Sequence, residues 1–187
     1  MKNPVDNHVC WAVCGMAAFI LLAAAGCSKT AQEGGKTGLA CLTLPSTSLP
    51  KGVYLAPWKG GSDKVPWVTS NPFLTKDKQV ISEFVEDGKI VEKGSVREVL
   101  MAAYWVGESG VEISVLAMQF TDPASASRAA RALQPQIDQD AKIEPHTAQT
   151  LLHRGSVVCI LGHTSAVDKD VWSAMVSLVQ NALAEMP

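Results

Sequence analysis

Val99-Leu-Met-Ala-Ala-Tyr-Trp-Val106, Gly107-Glu-Ser-Gly110 and Val111-Glu-Ile-Ser-Val-Leu-Ala-Met-Gln-Phe120 are the three consecutive pieces from which the fold is read. The first is rich in β-branched, aromatic and apolar residues, and the second has the composition of a tight turn. In the third, Val111, Ile113 and Val115 recur at a spacing of two, which puts them on one face of a strand. The combination predicts a β-hairpin. Directly after it, Asp122-Pro123 offers a helix N-cap followed by a first-turn proline. The next stretch turns Ala126, Ala129, Ala130, Leu133 and Ile137 to one side at helical spacing, and Pro135 is expected to kink or end that helix.

Further along the chain the same order recurs. Thr147 to Arg154 and Val157 to Leu161 read as a second hairpin around Gly155-Ser156. A last helix is expected from about Ala166, with Val171, Met175, Leu178, Val179 and Ala182 along one stripe. Strand, strand, helix, strand, strand, helix makes two similar units, an internal pseudo-repeat. The expected fold class is α+β: a two-layer sandwich of one antiparallel sheet with both helices on the same face.

Upstream of the hairpin, Pro45, Pro50, Pro57, Pro66 and Pro72 punctuate the chain and argue against long helices. Residues 39–75 are therefore expected to be an irregular wrap around an edge or the open face of the sheet, with the sheet and helices in 76–187. Between Lys76 and Glu92, apolar residues alternate with charges around Glu86-Asp-Gly-Lys89, which suggests a further hairpin.

The chain begins differently. Lys2 lies in a short polar start, an apolar stretch runs from about Val9 to Ala25, and Phe19-Ile-Leu-Leu-Ala-Ala-Ala-Gly-Cys27 leads into the polar Ser28-Lys-Thr-Ala-Gln-Glu-Gly-Gly35. These are the parts of an export signal. Ala24-Ala25-Gly26-Cys27 resembles the lipobox of bacterial lipoproteins. The resemblance covers roughly the first 30 residues. It implies that residues 1–26 are a signal peptide and that Cys27 becomes an acylated N-terminus. Residues 27–38 would then be a flexible tether and 39–187 a single domain on the extracytoplasmic or periplasmic side of a cell membrane or outer membrane. Two acyl chains anchor stably where one gives only marginal binding, so the rest of the chain can be water-soluble and still stay at the bilayer.

Formal net charge is −2, which offers no basic face for a phosphate backbone and excludes nucleic acid as an expected partner. The 47% hydrophobic content is inflated by the export segment. Sorting cysteines by fate leaves Cys41 and Cys159 beyond Cys27. Outside the cytoplasm they invite a disulfide, which closes a long loop and contributes up to about 4 to 5 kcal/mol in the chain-entropy model. Their apolar contexts, Leu39-Ala-Cys41-Leu and Val157-Val-Cys159-Ile-Leu161, equally suit two buried thiols.

No motif implies catalysis, a metal or a cofactor. Gly162-His-Thr-Ser-Ala-Val-Asp168 holds the residue types of a catalytic triad, but Ser165-x-x-Asp168 reads better as a capping box for the last helix. His146, His153 and His163 have no metal-ligand spacing. Asp138-Gln-Asp140 lacks the glycine and glutamate of a calcium loop, and Gly60-Gly61-Ser62 lacks the lysine of a phosphate-binding loop. The candidate binding surface is the aromatic set Tyr54, Trp58, Trp67 and Phe73, which can stack on a glycan or seat a partner's side chains, or simply staple the loop to the sheet. Trp105 and Trp172 are expected in the core. The expectation is a non-catalytic envelope binding or accessory protein. An envelope hydrolase using a histidine and a carboxylate, or a structural envelope component, are the alternatives.

Overall fold

The computed structural model describes residues 38–57, 68–85, 95–108, 111–143, 147–163 and 166–186. The export segment, Cys27, the tether up to residue 37, Trp58, Trp67, the Gly60-Gly61-Ser62 stretch, the turn expected at 86–89, His146 and Ser165 lie outside these residues.

Two short 3-10 helices, Gly38–Leu42 and Ser46–Ser48, come first. They are followed by β1 (Val53–Leu55), β2 (Phe73–Thr75), α1 (Lys78–Val85), β3 (Val96–Val106) and β4 (Val111–Phe120). The chain closes with α2 (Pro123–Ile143), β5 (Ala148–Arg154), β6 (Val157–His163) and α3 (Lys169–Glu185). All strand pairs are antiparallel, in the order β1-β3-β4-β6-β5. β2 shares the outer edge of β3 with β1. The fold is α+β, built on an antiparallel six-stranded sheet, and the two hairpin-plus-helix units are present in the expected order.

Helix placement departs from expectation. Each long helix makes a two-layer packing with the sheet, but the two lie on opposite faces. Met175, Val179 and Leu183 of α3 join Leu39, Leu42 and Leu44 over Tyr104, Val115, Cys159 and Leu161. Ala126, Ala129, Ala130, Leu133 and Ile137 of α2 pack instead with Ile81 over Val99, Met118, Val158 and Ile160. The reason lies in β6, which is buried at every position from Val157 to Gly162. Its odd and even residues are both apolar, so a sheet covered on one side would leave Val158 and Ile160 in water at about 1.5 to 3 kcal/mol each. The small alanines of α2 allow its close approach.

Four local expectations are corrected. The irregular wrap supplies two short strands, because the unpaired edge of β3 offers its backbone groups to any extended segment beside it. The first part of the 76–92 segment is helix α1 rather than a strand. Asp77 caps it, accepting from the N–H groups of Gln79 at 2.8 Å and Val80 at 3.3 Å, and Ile81 is buried against α2. Pro135 neither ends nor interrupts the assigned α2; the residue is exposed, so its ring meets solvent rather than the sheet. The last helix begins at Lys169, capped by Asp168 itself, which accepts from Asp170 N–H at 2.9 Å and Val171 N–H at 3.3 Å.

A candidate binding groove on the sheet

Along β4 the residues facing α2 change character. Met118 and Phe120 are buried beneath the helix, whereas Glu112 and Ser114 lie further along the strand, beyond the set on which the helix packs. The register carries this change across the sheet: Trp105 stands opposite Glu112, Ala103 opposite Ser114, and Met101 opposite Leu116. Ser114 in turn faces Gly162 on β6 and donates its hydroxyl to the Gly162 carbonyl at 3.2 Å. A row of small residues, Ala103, Ser114 and Gly162, thus crosses the sheet between bulkier rows.

Over the β3 end of that row lies the segment from Val68 to Asn71. β1 pairs with Tyr104 to Val106 and β2 with Val99 to Met101, which leaves Ala102 and Ala103 between them. The Asn71 side chain fills the gap. Its Oδ1 accepts from Ala103 N–H at 2.9 Å, and its Nδ2 donates to the carbonyls of Ala103 and Ala56, both at 2.8 Å. The result is a cleft of about 30 Å³, lined among others by Val68, Ser70, Asn71, Met101, Glu112 and Leu116.

Glu112 is the ionisable group in that lining. It is half-buried, no hydrogen bond or ion pair reaches it among the described residues, and burial alone pushes its carboxyl above the ordinary glutamate range. On β1, across β3 from Glu112, Tyr54 is 41% exposed. The Tyr54 ring meets Trp105 edge-on at 6.1 Å, and its hydroxyl donates to the Gly107 carbonyl at 3.2 Å. That hydrogen bond and ring contact hold the aromatic face against Trp105, the cross-strand neighbour of Glu112, without withdrawing it from water.

Of the expected aromatic surface, Tyr54 and Phe73 are described; neither lines the groove, and they stand on β1 and β2 on either side of the gap that Asn71 fills. Phe73 is half-buried opposite Met101. Trp105, expected in the core, is only half-buried because it pairs with Tyr54 at the open end. Trp172 is half-buried too, edge-on to His163 at 4.8 Å on the other side of the sheet. His153 and His163 stand at opposite ends of the second hairpin, opposite Val158 and Ala148 respectively. Among the described residues no group of three or more His, Cys, Asp or Glu side chains could hold a metal ion. Asp138 lies within α2, where Gln134 Nε2 donates to it at 2.8 Å.

No disulfide joins Cys41 and Cys159 in the structure; Cys159 is buried, as the buried-thiol alternative expects, and Cys41 is not wholly so. Cys159 sits wholly inside the core under α3, and burial pushes its thiol up to about 12. Cys41 is half-buried on the first 3-10 helix.

Glu112, Ala103 and Asn71 were not singled out from sequence. A signal was present in β4: on one parity it reads Glu112, Ser114, Leu116, Met118, a polar-to-apolar change that marks where the covering helix stops. Nothing comparable announces Asn71, whose role depends on two strands meeting the same edge. No helix among the described residues is long and apolar enough to cross a membrane. Comparison with protein-family models, with curated proteins and with solved structures returned no match.

Proposed function

We propose that the chain is a lipid-anchored extracytoplasmic protein, held to a cell membrane or outer membrane through acylated Cys27, whose domain is a non-catalytic binding module. The anchor rests on the sequence around Cys27 and its resemblance to the lipobox. The observation that supports binding is a groove whose Glu112 carboxylate has no partner among the described residues, with the exposed Tyr54 ring across β3 from it, against Trp105.

Intact-mass measurement on the native protein tests the anchor. Loss of residues 1–26 with a diacylglyceryl group on Cys27 is expected, and an unmodified full-length chain overturns it. For binding, a photocrosslinking residue is placed at Tyr54 and, as a control, at Ser177 on the exposed side of α3. In intact cells, defined adducts are expected from position 54 and not from 177. The same adducts from both positions would sink the reading.

A further inference from the structure

We infer that the groove between the Val68–Asn71 segment and β3–β4 is a site for a small alkylammonium ligand, with Glu112 receiving the charge. This rests on the binding reading above and names its ligand class.

The floor is made by Ala103 and Ser114, which are directly opposite one another and leave space because neither side chain extends far above the sheet. Val68, Met101 and Leu116 make the walls apolar. The polar groups nearby are already engaged: Asn71 spends its amide on Ala103 and Ala56, Ser70 donates to the Pro72 carbonyl at 2.9 Å, and Ser114 donates to Gly162. Glu112 is different. Its carboxylate retains no partner among the described residues, and the surrounding apolar surface raises the cost of its charge.

Such a site selects by complementarity. An anion is repelled by Glu112, and a neutral polar molecule finds one acceptor with an unmet charge among the described residues. A metal ion needs several ligands, and the lining supplies one carboxylate. A primary ammonium with a short alkyl tail satisfies both parts of the groove. Its N–H groups make a charge-assisted hydrogen bond to Glu112, and its methylenes lie against Met101 and Leu116. Trp105, the cross-strand neighbour of Glu112, places aromatic surface where a cation at the carboxylate is further stabilised, and the Tyr54 ring packs edge-on against that tryptophan. The cleft of about 30 Å³ restricts the ligand to a few heavy atoms inside it.

The test is calorimetric titration of the detergent-solubilised full-length protein with n-butylammonium chloride at pH 7, with n-butanol, sodium butyrate and sodium chloride as controls. Saturable binding with Kd on the order of 1 mM is expected for the amine, at least tenfold weaker for butanol, and undetectable for butyrate. Glu112→Gln keeps the side-chain shape, and it should weaken the amine about tenfold or more without weakening butanol. Ser114→Leu, which fills the floor, should abolish amine binding, with thermal melting confirming that both variants are folded. If Ser114→Leu does not fold, Ala103→Val serves in its place. Absence of saturable amine binding to the wild type, equal binding of butanol, or unchanged binding to Glu112→Gln overturns the proposal. The binding reading fails on different data, the crosslinks from position 54, so the two failures are distinguishable.

Discussion

The side-chain amide of Asn71 bonds both backbone groups of Ala103, accepting from its N–H at 2.9 Å and donating to its carbonyl at 2.8 Å, as a neighbouring strand residue would. One side chain thereby continues the sheet edge across the interval between β1 and β2. It also ties the wall of the groove to its floor, so the shape of the cleft depends on a polar contact rather than on packing.

Replacing that amide should be costly. Asn71→Ala removes three hydrogen bonds and leaves the Ala103 N–H without a protein partner, for an expected loss of about 2 to 4 kcal/mol in urea unfolding. Hydrogen exchange adds a local readout, because the Ala103 amide should lose protection in the variant. Unchanged protection at Ala103 would show that the contact is not what closes the edge.

Alkaline pH should destabilise the fold through two buried groups. Tyr104 is wholly inside the core, where burial pushes its hydroxyl up to about 12, although it accepts from Leu44 N–H at 3.1 Å. The Cys159 thiol is likewise pushed up to about 12. Both folded-state values lie above the unfolded ones, so the native state holds the protons more tightly. Stability is fully present below about pH 9 and is lost as pH rises from there through about 12. Denaturant midpoints measured from pH 8 to 11 should fall, and the fall should be smaller in Cys159→Ala than in wild type. Tyr104→Phe leaves the Leu44 N–H unpaired and should cost about 1 to 3 kcal/mol at pH 7.

At the acid end the sign is reversed. Asp122 caps α2 by accepting from Ser125 N–H and the Ser125 hydroxyl, both at 2.8 Å, and from the Thr121 hydroxyl at 3.0 Å. The backbone bond from Ser125, followed by the two hydroxyl bonds, lowers its carboxyl to about 2. Its contribution is therefore present above the unfolded value near 3.8 and lost as pH falls through about 2. Asp122→Ala should lower the melting temperature at pH 7, and the difference from wild type should shrink toward pH 2. A difference that stays constant over that range would assign the effect to something other than the carboxylate.

Within α2, Pro135 lacks the N–H that would bond to the carbonyl of Arg131, and it faces solvent. Pro135→Ala restores that bond without disturbing the face on the sheet, and it should raise stability by about 1 to 3 kcal/mol. A neutral or negative change in thermal and chemical unfolding would mean that the helix is adjusted around the ring.

The contrast between β4 and β6 shows how much was legible before the structure. Both strands were recognisable from their β-branched and apolar runs, and the antiparallel hairpins follow from the turns between them. That both faces would be covered was also written in Val157-Val-Cys-Ile-Leu161, an apolar run with no alternation. Reading it as one half of a one-sided sheet placed the helices together, and the packing of Val158 under α2 and Cys159 under α3 separates them. Residues 78–85 misled in the other direction, since charge alternation outweighed the cap offered by Asp77. None of the residues lining the groove was singled out from sequence as a binding residue.

From Val96 onward, the order of strands and helices and the α+β class could be read along the chain, because periodicity, turns and caps are local patterns; export and acylation at Cys27 are an expectation of the same local kind. Which face each helix covers, that Asn71 stands in for a strand, and that Trp105 lies between Glu112 on one neighbouring strand and Tyr54 on the other were settled by tertiary packing. Those relations join segments distant along the chain, and they depend on strand register and on where α2 stops covering the sheet.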